Sequence, residues 1–225
     1  FNQKVAIVCG KGNNGADGII SHHYLKKYNV SSKIILTEIS SSHHKLLKKY
    51  KIKNDEYVIY ASTIDLNKYD WIIDGIFGIG LSRKLNDKYM QMTKNVNKTK
   101  NIISIDISSG LYADGGNPEC FINSKHILTF GYPKLSHYLI PHNNLIALDI
   151  GFKKNKKNKF QLICKSDIVN ILKKILLKSN IHKYSKGYTC ISGGSNKYPG
   201  AAILSSLAAY KTGSGYVNLR FAGNS

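Results

Sequence analysis

A glycine-rich turn between a buried strand and a helix constrains this chain most. It lies in residues 5–18, which have the sequence Val-Ala-Ile-Val-Cys-Gly-Lys-Gly-Asn-Asn-Gly-Ala-Asp-Gly. The first of these residues form a short apolar run that predicts a buried strand, and helical spacing follows the last glycine. Gly10, Gly12 and Gly15 match G-x-G-x-x-G, the pattern in which backbone approaches a phosphate at a helix N-terminus. The first hypothesis is therefore a dinucleotide-binding turn.

Polar side chains in and after the turn make this hypothesis more specific. Glu38 follows the apolar run 34–36, near the position of the acid that binds a ribose in dinucleotide-binding folds. Asn13, Asn14 and Asp17 add side-chain oxygens to the turn itself. A carboxylate beside a phosphate is unfavourable unless it binds hydroxyls, captures a cation or takes part in chemistry. The alternative is that the asparagines support a left-handed turn and Asp17 caps the helix.

Strand-like and helical segments alternate along the chain. Apolar runs predict strands at residues 5–8, 34–36, 57–60, 71–74, 102–106, 127–130 and 145–148. Helical spacing predicts helices at residues 16–27, 43–51 and 85–96. This alternation predicts an α/β fold with a mostly parallel sheet and helices on both of its faces.

Two of the predicted strands end in an aspartate. These residues are Asp74 and Asp106, and each is followed by a loop of small residues. In open parallel sheets, ligands bind beyond the carboxyl ends of the strands. Both carboxylates are therefore expected to face the crevice that contains the glycine turn. Either aspartate alone could cap a helix or a turn, whereas the pair favours a site.

Composition indicates a globular chain without a membrane span. The 225 residues suffice for one large or two small domains, and 42% hydrophobic residues suit a packed core. No run approaches the ~20 apolar residues of a membrane helix, and no signal-peptide pattern is present. The net charge of +20 comes mainly from scattered lysines. We attribute it to composition and predict neither a nucleic-acid partner nor a membrane partner.

The cysteines predict a reducing compartment. Cys9, Cys120, Cys164 and Cys190 contain no C-x-x-C pair. Three of them, all except Cys120, lie in apolar, strand-like runs, which predicts buried free thiols. The expected location is therefore cytoplasmic.

Four motifs resemble those of the NAD(P)H-hydrate epimerases, a family that repairs hydrated nicotinamide cofactors. The glycine turn resembles their Gly-x-Gly-Asn-Asn-Gly-Gly-Asp-Gly, and residues 74–81 resemble their Asp-Ala-Leu-Phe-Gly-Thr-Gly-Leu. Residues 105–111 resemble their Ile-Asp-Ile-Pro-Ser-Gly-Leu, and residues 129–134 resemble their Thr-Phe-x-x-Pro-Lys. The order and spacing agree over residues 5–148. The resemblance implies a Rossmann-like, doubly wound sheet that binds the hydrated cofactor and a potassium ion.

The resemblance also implies a role for each motif. The implied substrate contacts are Asn13, Asn14, Gly15, Ala16 and Asp17 in the turn, and Gly78, Ile79, Gly80, Leu81, Ser82, Arg83 and Lys84 along the phosphates. The implied potassium ligands are Asn14, Asp74 and Ser109. Asp106 is expected to hold the nicotinamide end and to act in acid–base chemistry, with Lys134 as the second catalytic candidate. The chain departs from the family at Ala16, where a glycine is usual, and at Ser108, where a proline is usual.

The rest of the chain resembles the beginning of the NAD(P)H-hydrate dehydratases. Lys186-Gly187, Gly193-Gly194-Ser195 and residues 198–202 follow the family's order, as do residues 208–217. This resemblance implies the start of a ribokinase-like α/β domain, with ADP or ATP as the cosubstrate. Ala201 is an expected substrate contact.

Together these features predict a bifunctional repair enzyme, clipped at both ends. The expected organisation is an epimerase domain over residues 1–150, a linker over 151–165, and the start of a dehydratase domain over 166–225. The substrate is hydrated NADH or NADPH, and we expect a homo-oligomer. Two alternatives stay open: an NAD-dependent oxidoreductase that uses the turn from Gly10 to Gly15, and a non-enzymatic binding domain of the same fold.

Overall fold

The chain forms two compact units, residues 1–154 and 155–225. The computed structural model describes residues 3–140, 144–153, 163–176 and 182–220. Among these, no helix is long and apolar enough to cross a membrane.

The first unit is built on a seven-stranded sheet. Its strands are β1 (Lys4–Cys9), β2 (Ser31–Leu36), β3 (Tyr57–Ile59), β4 (Trp71–Gly75), β5 (Ile102–Ile105), β6 (His126–Phe130) and β7 (Asn144–Leu148). Its helices are α1 (Asn13–Lys27), α2 (Ser41–Lys49), α3 (Asp87–Val96) and the short α4 (Ser136–Leu139), with a 3-10 turn at Asn54–Glu56. The strand order is β3-β2-β1-β4-β5-β6-β7, and every pair is parallel. The predicted mostly parallel, Rossmann-like sheet is therefore confirmed.

Strand β1 shows why the sheet is buried on both faces. Val5, Ile7 and Cys9 pack into a core with residues of α1 and α2, such as Ile19. Ala6 and Val8 alternate with them and pack into a second core, which includes α3 residues. Because side chains point to opposite faces in turn, a strand covered on both sides is apolar throughout. This pattern explains the continuous apolar runs in the sequence.

The start of α1 differs from the prediction. The helix begins at Asn13 instead of near residue 16, with Gly12 as its N-cap in an extended conformation. Asn13 and Asn14 are polar, so the apolar periodicity does not include the first turn of the helix. No described side chain caps this N-terminus. Its first N–H groups therefore stay available to a ligand.

Two glycines allow close packing around the N-terminus of α1. A Cβ atom added to Gly10 would lie 1.8 Å from the carbonyl oxygen of Ile76. A Cβ atom added to Gly15 would lie 1.7 Å from the carbonyl oxygen of Gly10. A Cβ at Gly12 would meet nothing within 4 Å. The backbones of the turn, α1 and the loop after β4 thus approach closely at Gly10 and Gly15 but not at Gly12.

The second unit contains two parallel strands joined through a helix. Its elements are α5 (Lys165–Leu176), β8 (Tyr188–Ser192), α6 (Gly200–Lys211) and β9 (Tyr216–Arg220), and β8 pairs with β9. The strand–helix–strand order agrees with the predicted start of an α/β domain, and residues 160–162 lie outside the described residues. The assignment of the second unit to a ribokinase-like domain stays a prediction.

The expected burial of the cysteines is wrong at two positions. No disulfide joins any of the four cysteines, all of which the structure describes. Cys9 is buried, but Cys164 and Cys190 are exposed. Cys190 lies on the same face of β8 as the exposed Tyr188, because side chains alternate along a strand. An apolar neighbourhood in the sequence did not reveal which face the thiol would occupy.

A buried histidine on α1 gives the fold a sensitivity to acid. His22 is 0% exposed, and its Nδ1 lies 2.9 Å from Ser32 Oγ. Burial lowers the pKa of His22, and the charges of Lys26 and His23 act in the same direction, against an opposing contribution from Glu56. The folded state therefore favours the neutral imidazole.

We predict that this histidine makes the free energy of unfolding fall as the pH drops below about 6.5, the pKa of an unperturbed histidine. Below that pH the unfolded chain takes up a proton that folded His22 resists, whereas above it both states are neutral. Urea unfolding between pH 5 and 8 should show a flatter pH dependence for His22→Asn than for wild type. The exposed His44, changed to Asn, is the control. An unchanged slope in His22→Asn would contradict the prediction.

The glycine turn provides a matched pair of variants. Gly15→Ala should lower the free energy of unfolding by about 3 kcal/mol, because the new methyl group meets rigid backbone. Gly12→Ala should cost about 1 kcal/mol or less, since the methyl group enters open space and only the N-cap preference is lost. Urea denaturation of both proteins measures the difference. Equal losses in the two variants would show that close packing is not what requires Gly15.

Candidate active site

The loops after four strands meet at the carboxyl edge of the first unit's sheet. Gly10 N donates to the carbonyl of Gly75 at 3.0 Å, which joins the glycine turn to the end of β4. Asp106 N, just after β5, donates to the carbonyl of Leu128 in β6 at 2.7 Å. This is the edge where a doubly wound sheet binds its ligand. Most residues predicted for the site in the first unit lie here.

Asp74 is a fully buried carboxylate of this crevice. It has 0% exposure, and each of its carboxylate oxygens accepts two hydrogen bonds. Oδ1 accepts from Ile76 N at 3.2 Å and from Ser109 Oγ at 2.6 Å. Oδ2 accepts from Ser104 Oγ at 2.6 Å and from Ser109 N at 2.9 Å. Burial raises the pKa of Asp74, although these four hydrogen bonds oppose the rise.

Phe77 joins Asp74 to the start of α1. Its carbonyl accepts from Asn14 Nδ2 at 2.8 Å, and its N–H donates to Ser109 Oγ at 2.8 Å. A Cβ atom on Gly78 would lie 3.3 Å from the Cβ of Asn14, so this loop passes close to the helix. The structure thus brings together Asn14, Asp74 and Ser109, which were expected on three separate segments.

Asp106 and Lys134 form an ion pair at the neighbouring strand ends. Their side chains are 13% and 15% exposed. Asp106 Oδ1 accepts from Phe130 N at 3.0 Å, from Thr129 Oγ1 at 3.2 Å and from Lys134 Nζ. Lys134 Nζ also donates to Thr129 Oγ1 at 2.7 Å. In the part of the chain that the structure describes, no donor reaches Asp106 Oδ2, so this oxygen can accept from a ligand.

The backbone of Asp106 has an uncommon conformation. Its φ is +65°, in the left-handed region that few residues other than glycine adopt. Aspartate tolerates this region better than most side chains, and such residues cluster at functional sites. The conformation turns the chain after β5 while the side chain stays bonded to the end of β6.

Asp17 faces the same region from the first turns of α1. Partial burial raises its pKa, and the negative charge of Asp106 raises it further. Two carboxyl groups thus lie near each other in unequal surroundings. Asp106 has a cation beside it, whereas no described side chain forms an ion pair with Asp17. Such a difference suits one group to accept a proton and the other to donate one.

The loop after β4 supplies an exposed rim. Ile79, Gly80, Ser82, Arg83 and Lys84 are exposed, whereas Gly78 and Leu81 are half-buried. Lys84 forms an ion pair with Glu119, which lies in the connection between β5 and β6. The structure places this loop beside Asn14 and the α1 N-terminus. Its position is compatible with the expected contact to phosphates.

The remaining predicted site residues lie in different surroundings. Asn13 is exposed at the start of α1, Gly15 is buried against Gly10, and Ala16 is half-buried. Ala201 is exposed in the first turn of α6. It belongs to the second unit, and its contact with substrate stays a prediction.

Sequence reasoning missed several groups that hold the site together. Ser104 lies on β5 and bonds Asp74, while the backbone of Phe77 bonds both Asn14 and Ser109. Thr129 and Phe130 anchor Asp106. The last two were visible in the Thr-Phe-x-x-Pro-Lys motif, whereas nothing in the sequence singled out Ser104. A backbone contact such as that of Phe77 has no side-chain signature.

Comparisons with known proteins show the family to which this chain belongs. The model of the family described as YjeF-related protein N-terminus matches residues 1–136. This chain belongs to that family. A bifunctional NAD(P)H-hydrate repair enzyme of Dictyoglomus turgidum is 33% identical over 97% of this chain and 45% of its own length. An NAD(P)H-hydrate epimerase of Paramecium tetraurelia is 33% identical over 59% of this chain and 57% of its own length. The resemblance drawn from four motifs is thereby confirmed.

A solved structure supports the fold. The crystal structure of yeast ynu0 matches with a TM-score of 0.56 and 20% identity, over 65% of each chain. The present chain spans about half the length of the bifunctional relatives, at 45% for the Dictyoglomus protein and 44% for one from Thermofilum pendens.

Proposed function

We propose that the first unit is an NAD(P)H-hydrate epimerase, which interconverts the R and S forms of hydrated NADH and NADPH. The observation that carries the proposal is the half-buried pair of Asp106 and Lys134, with Asp17 nearby, beside an uncapped helix N-terminus. The carbon to be inverted carries a hydroxyl group and a ring nitrogen. Inversion would follow if the bond from this carbon to the ring nitrogen opened, with the hydroxyl group losing its proton and the nitrogen gaining one, and then closed on the opposite face with both proton transfers reversed. It requires no oxidant.

The crevice offers a group for each part of this task. Oδ2 of Asp106 would accept the hydroxyl proton, while Lys134 and Thr129 hold the carboxylate in place through Oδ1. Asp17, with its raised pKa, would give a proton to the ring nitrogen as it leaves and take the proton back when the ring closes. The phosphates would lie at the N-terminus of α1, along the loop from Gly78 to Lys84.

The whole protein is proposed to be bifunctional. Relatives that match nearly the whole chain are named bifunctional NAD(P)H-hydrate repair enzymes. The second unit would then begin a dehydratase that removes water from the S form at the expense of ADP or ATP. Gly194, with a φ of +80°, gives this unit a glycine turn between β8 and α6. Since the relatives carry repair-enzyme names, the oxidoreductase alternative is not favoured. A cytoplasmic location and a homo-oligomeric state belong to the same proposal.

The residues around Asp74 fit a potassium ion. The carboxylate is fully buried, and all four of its described donors are neutral, so no described cation balances its charge. A buried carboxylate of this kind is costly without a counter-charge. The Ser109 hydroxyl, the Phe77 carbonyl and the Asn14 amide are close by, and oxygen donors suit hard cations. When bound, the ion would supply positive charge to the crevice.

A melting experiment tests potassium binding without relying on activity. Potassium chloride should raise the wild-type melting temperature more than choline chloride of equal ionic strength, because a ligand that binds only the folded state stabilises it. Asp74→Asn should lose this difference, since the neutral amide no longer needs a counter-charge. The exposed Asp65, whose Oδ1 accepts from Asn67 N, provides the control variant Asp65→Asn. Equal melting temperatures of wild type in the two salts would refute the potassium site.

A substitution at Asp106 tests the reaction itself. Asp106→Asn keeps the shape of the side chain and removes its charge. If Asp106 moves the proton, the rate of epimerisation of the R form should fall roughly 100-fold or more. Binding of the hydrate should change much less.

Asp65→Asn serves again as the matched control, because that aspartate also accepts a backbone N–H in a loop. Thermal melting should be measured beside the rate for both variants. A folded Asp106→Asn protein with near-normal turnover would exclude Asp106 from the mechanism. Lys134→Gln would then be the next variant to measure.

A further inference from the structure

The carboxyl end of β2 holds a second polar cluster beside the glycine turn. Leu36 pairs with Cys9 at the ends of β2 and β1, and Thr37 N donates to the carbonyl of Cys9 at 2.9 Å. Glu38 therefore lies just beyond the end of β2, next to the loop that leads into α1. It is the acid that the sequence placed near a ribose-binding position, and the proposed reaction does not use it.

Glu38 is held in position but keeps one oxygen for a ligand. Tyr89 OH donates to its Oε1 at 3.2 Å, and Lys11 Nζ lies 3.6 Å from the same oxygen. Among the residues that the structure describes, none donates to Oε2. The side chain is 45% exposed, so a ligand can reach it. Tyr89 in turn packs edge-on against Phe77, with ring centroids 4.7 Å apart.

The strand order sets the direction in which a dinucleotide can lie. From Glu38 after β2 to Asp106 after β5 there are three strand spacings, or about 14 Å. The uncapped N-terminus of α1 follows β1 and lies between them. A dinucleotide with its reacting ring at Asp106 and its pyrophosphate at α1 therefore extends its other ribose towards β2.

We infer that Glu38 binds the hydroxyl groups of the adenosine ribose, so that the crevice prefers hydrated NADH over hydrated NADPH. The inference rests on the proposed function, since it places the reacting ring at Asp106. A free carboxylate oxygen accepts hydrogen bonds from a ribose diol. A 2′-phosphate at the same place carries a charge of about −1.5 to −2 and is repelled by Glu38.

Two nearby lysines moderate this preference without reversing it. Lys88 Nζ donates to the carbonyl of Thr37 at 3.2 Å, which fixes its ammonium group on the backbone. Lys11 is paired with Glu38 itself, and its side chain is 66% exposed, so water screens its charge. The preference is therefore expected to be about fivefold, the scale of one solvent-screened charge contact.

The test compares kcat/KM for the R forms of hydrated NADH and hydrated NADPH. Wild type should favour hydrated NADH about fivefold. Glu38→Gln should bring the ratio close to one, mainly by raising KM for hydrated NADH and lowering KM for hydrated NADPH, with kcat little changed. Lys11→Gln should move the ratio in the opposite direction, because it removes a cation beside the 2′ position. Asp65→Asn is the charge control and should leave the ratio as it is in wild type.

The outcomes separate this inference from the function on which it rests. If wild type converts both hydrates and Glu38→Gln leaves their ratio unchanged, the ribose contact is overturned and the epimerase function stands. A wild-type preference for hydrated NADPH overturns the contact in the same way. If wild type converts neither hydrate, the proposed function fails and the inference fails with it.

Discussion

A fully buried carboxylate determines the geometry of the crevice. Removing Asp74 from water costs several kcal/mol, which its hydrogen bonds must offset. Two of its four donors belong to Ser109, one to Ile76 and one to Ser104. If the loop after β4 or the loop after β5 moved, the carboxylate would lose a partner in a low-dielectric environment. The cost of burying one charge therefore fixes two loops, and Phe77 extends the constraint to Asn14 on α1.

The sheet was predictable because burial on two faces leaves a simple mark in the sequence. Ile7 and Val8 pack into opposite cores, so the continuous apolar run 5–9 within β1 indicates a strand that is covered on both faces. The helix boundaries were less accessible. The first turn of α1 begins with the polar residues Asn13 and Asn14 and contains no large apolar side chain, and the four residues of α4 are too few to show a period. Where a segment is polar or very short, it has no apolar periodicity from which the bounds of a helix can be predicted.

The site was predictable as a set of residues but not as a set of contacts. Strand ends identified Asp74 and Asp106, and a motif identified Lys134. The ion pair between Asp106 and Lys134 joins residues 28 positions apart. It depends on the pairing of β5 with β6 and on a positive φ at Asp106. Neither property follows from local composition. Apart from its motif, nothing in the sequence distinguished Lys134 from the many other lysines of the chain.

The charge of the chain acts differently at long and short range. Thirty-three basic residues against 13 acidic ones attract any polyanion, but this attraction is screened over about 8 Å at physiological salt. Closer to the crevice, Asp17, Glu38 and Asp106 present carboxylates that repel a continuous phosphate backbone while accepting hydroxyl groups. A dinucleotide satisfies both conditions, because it has two phosphates for the helix N-terminus and hydroxyl-bearing groups at either end. On the proposed function, the acidic residues of the crevice would thus convert a general affinity for anions into a preference for a small ligand with alternating phosphate and hydroxyl groups.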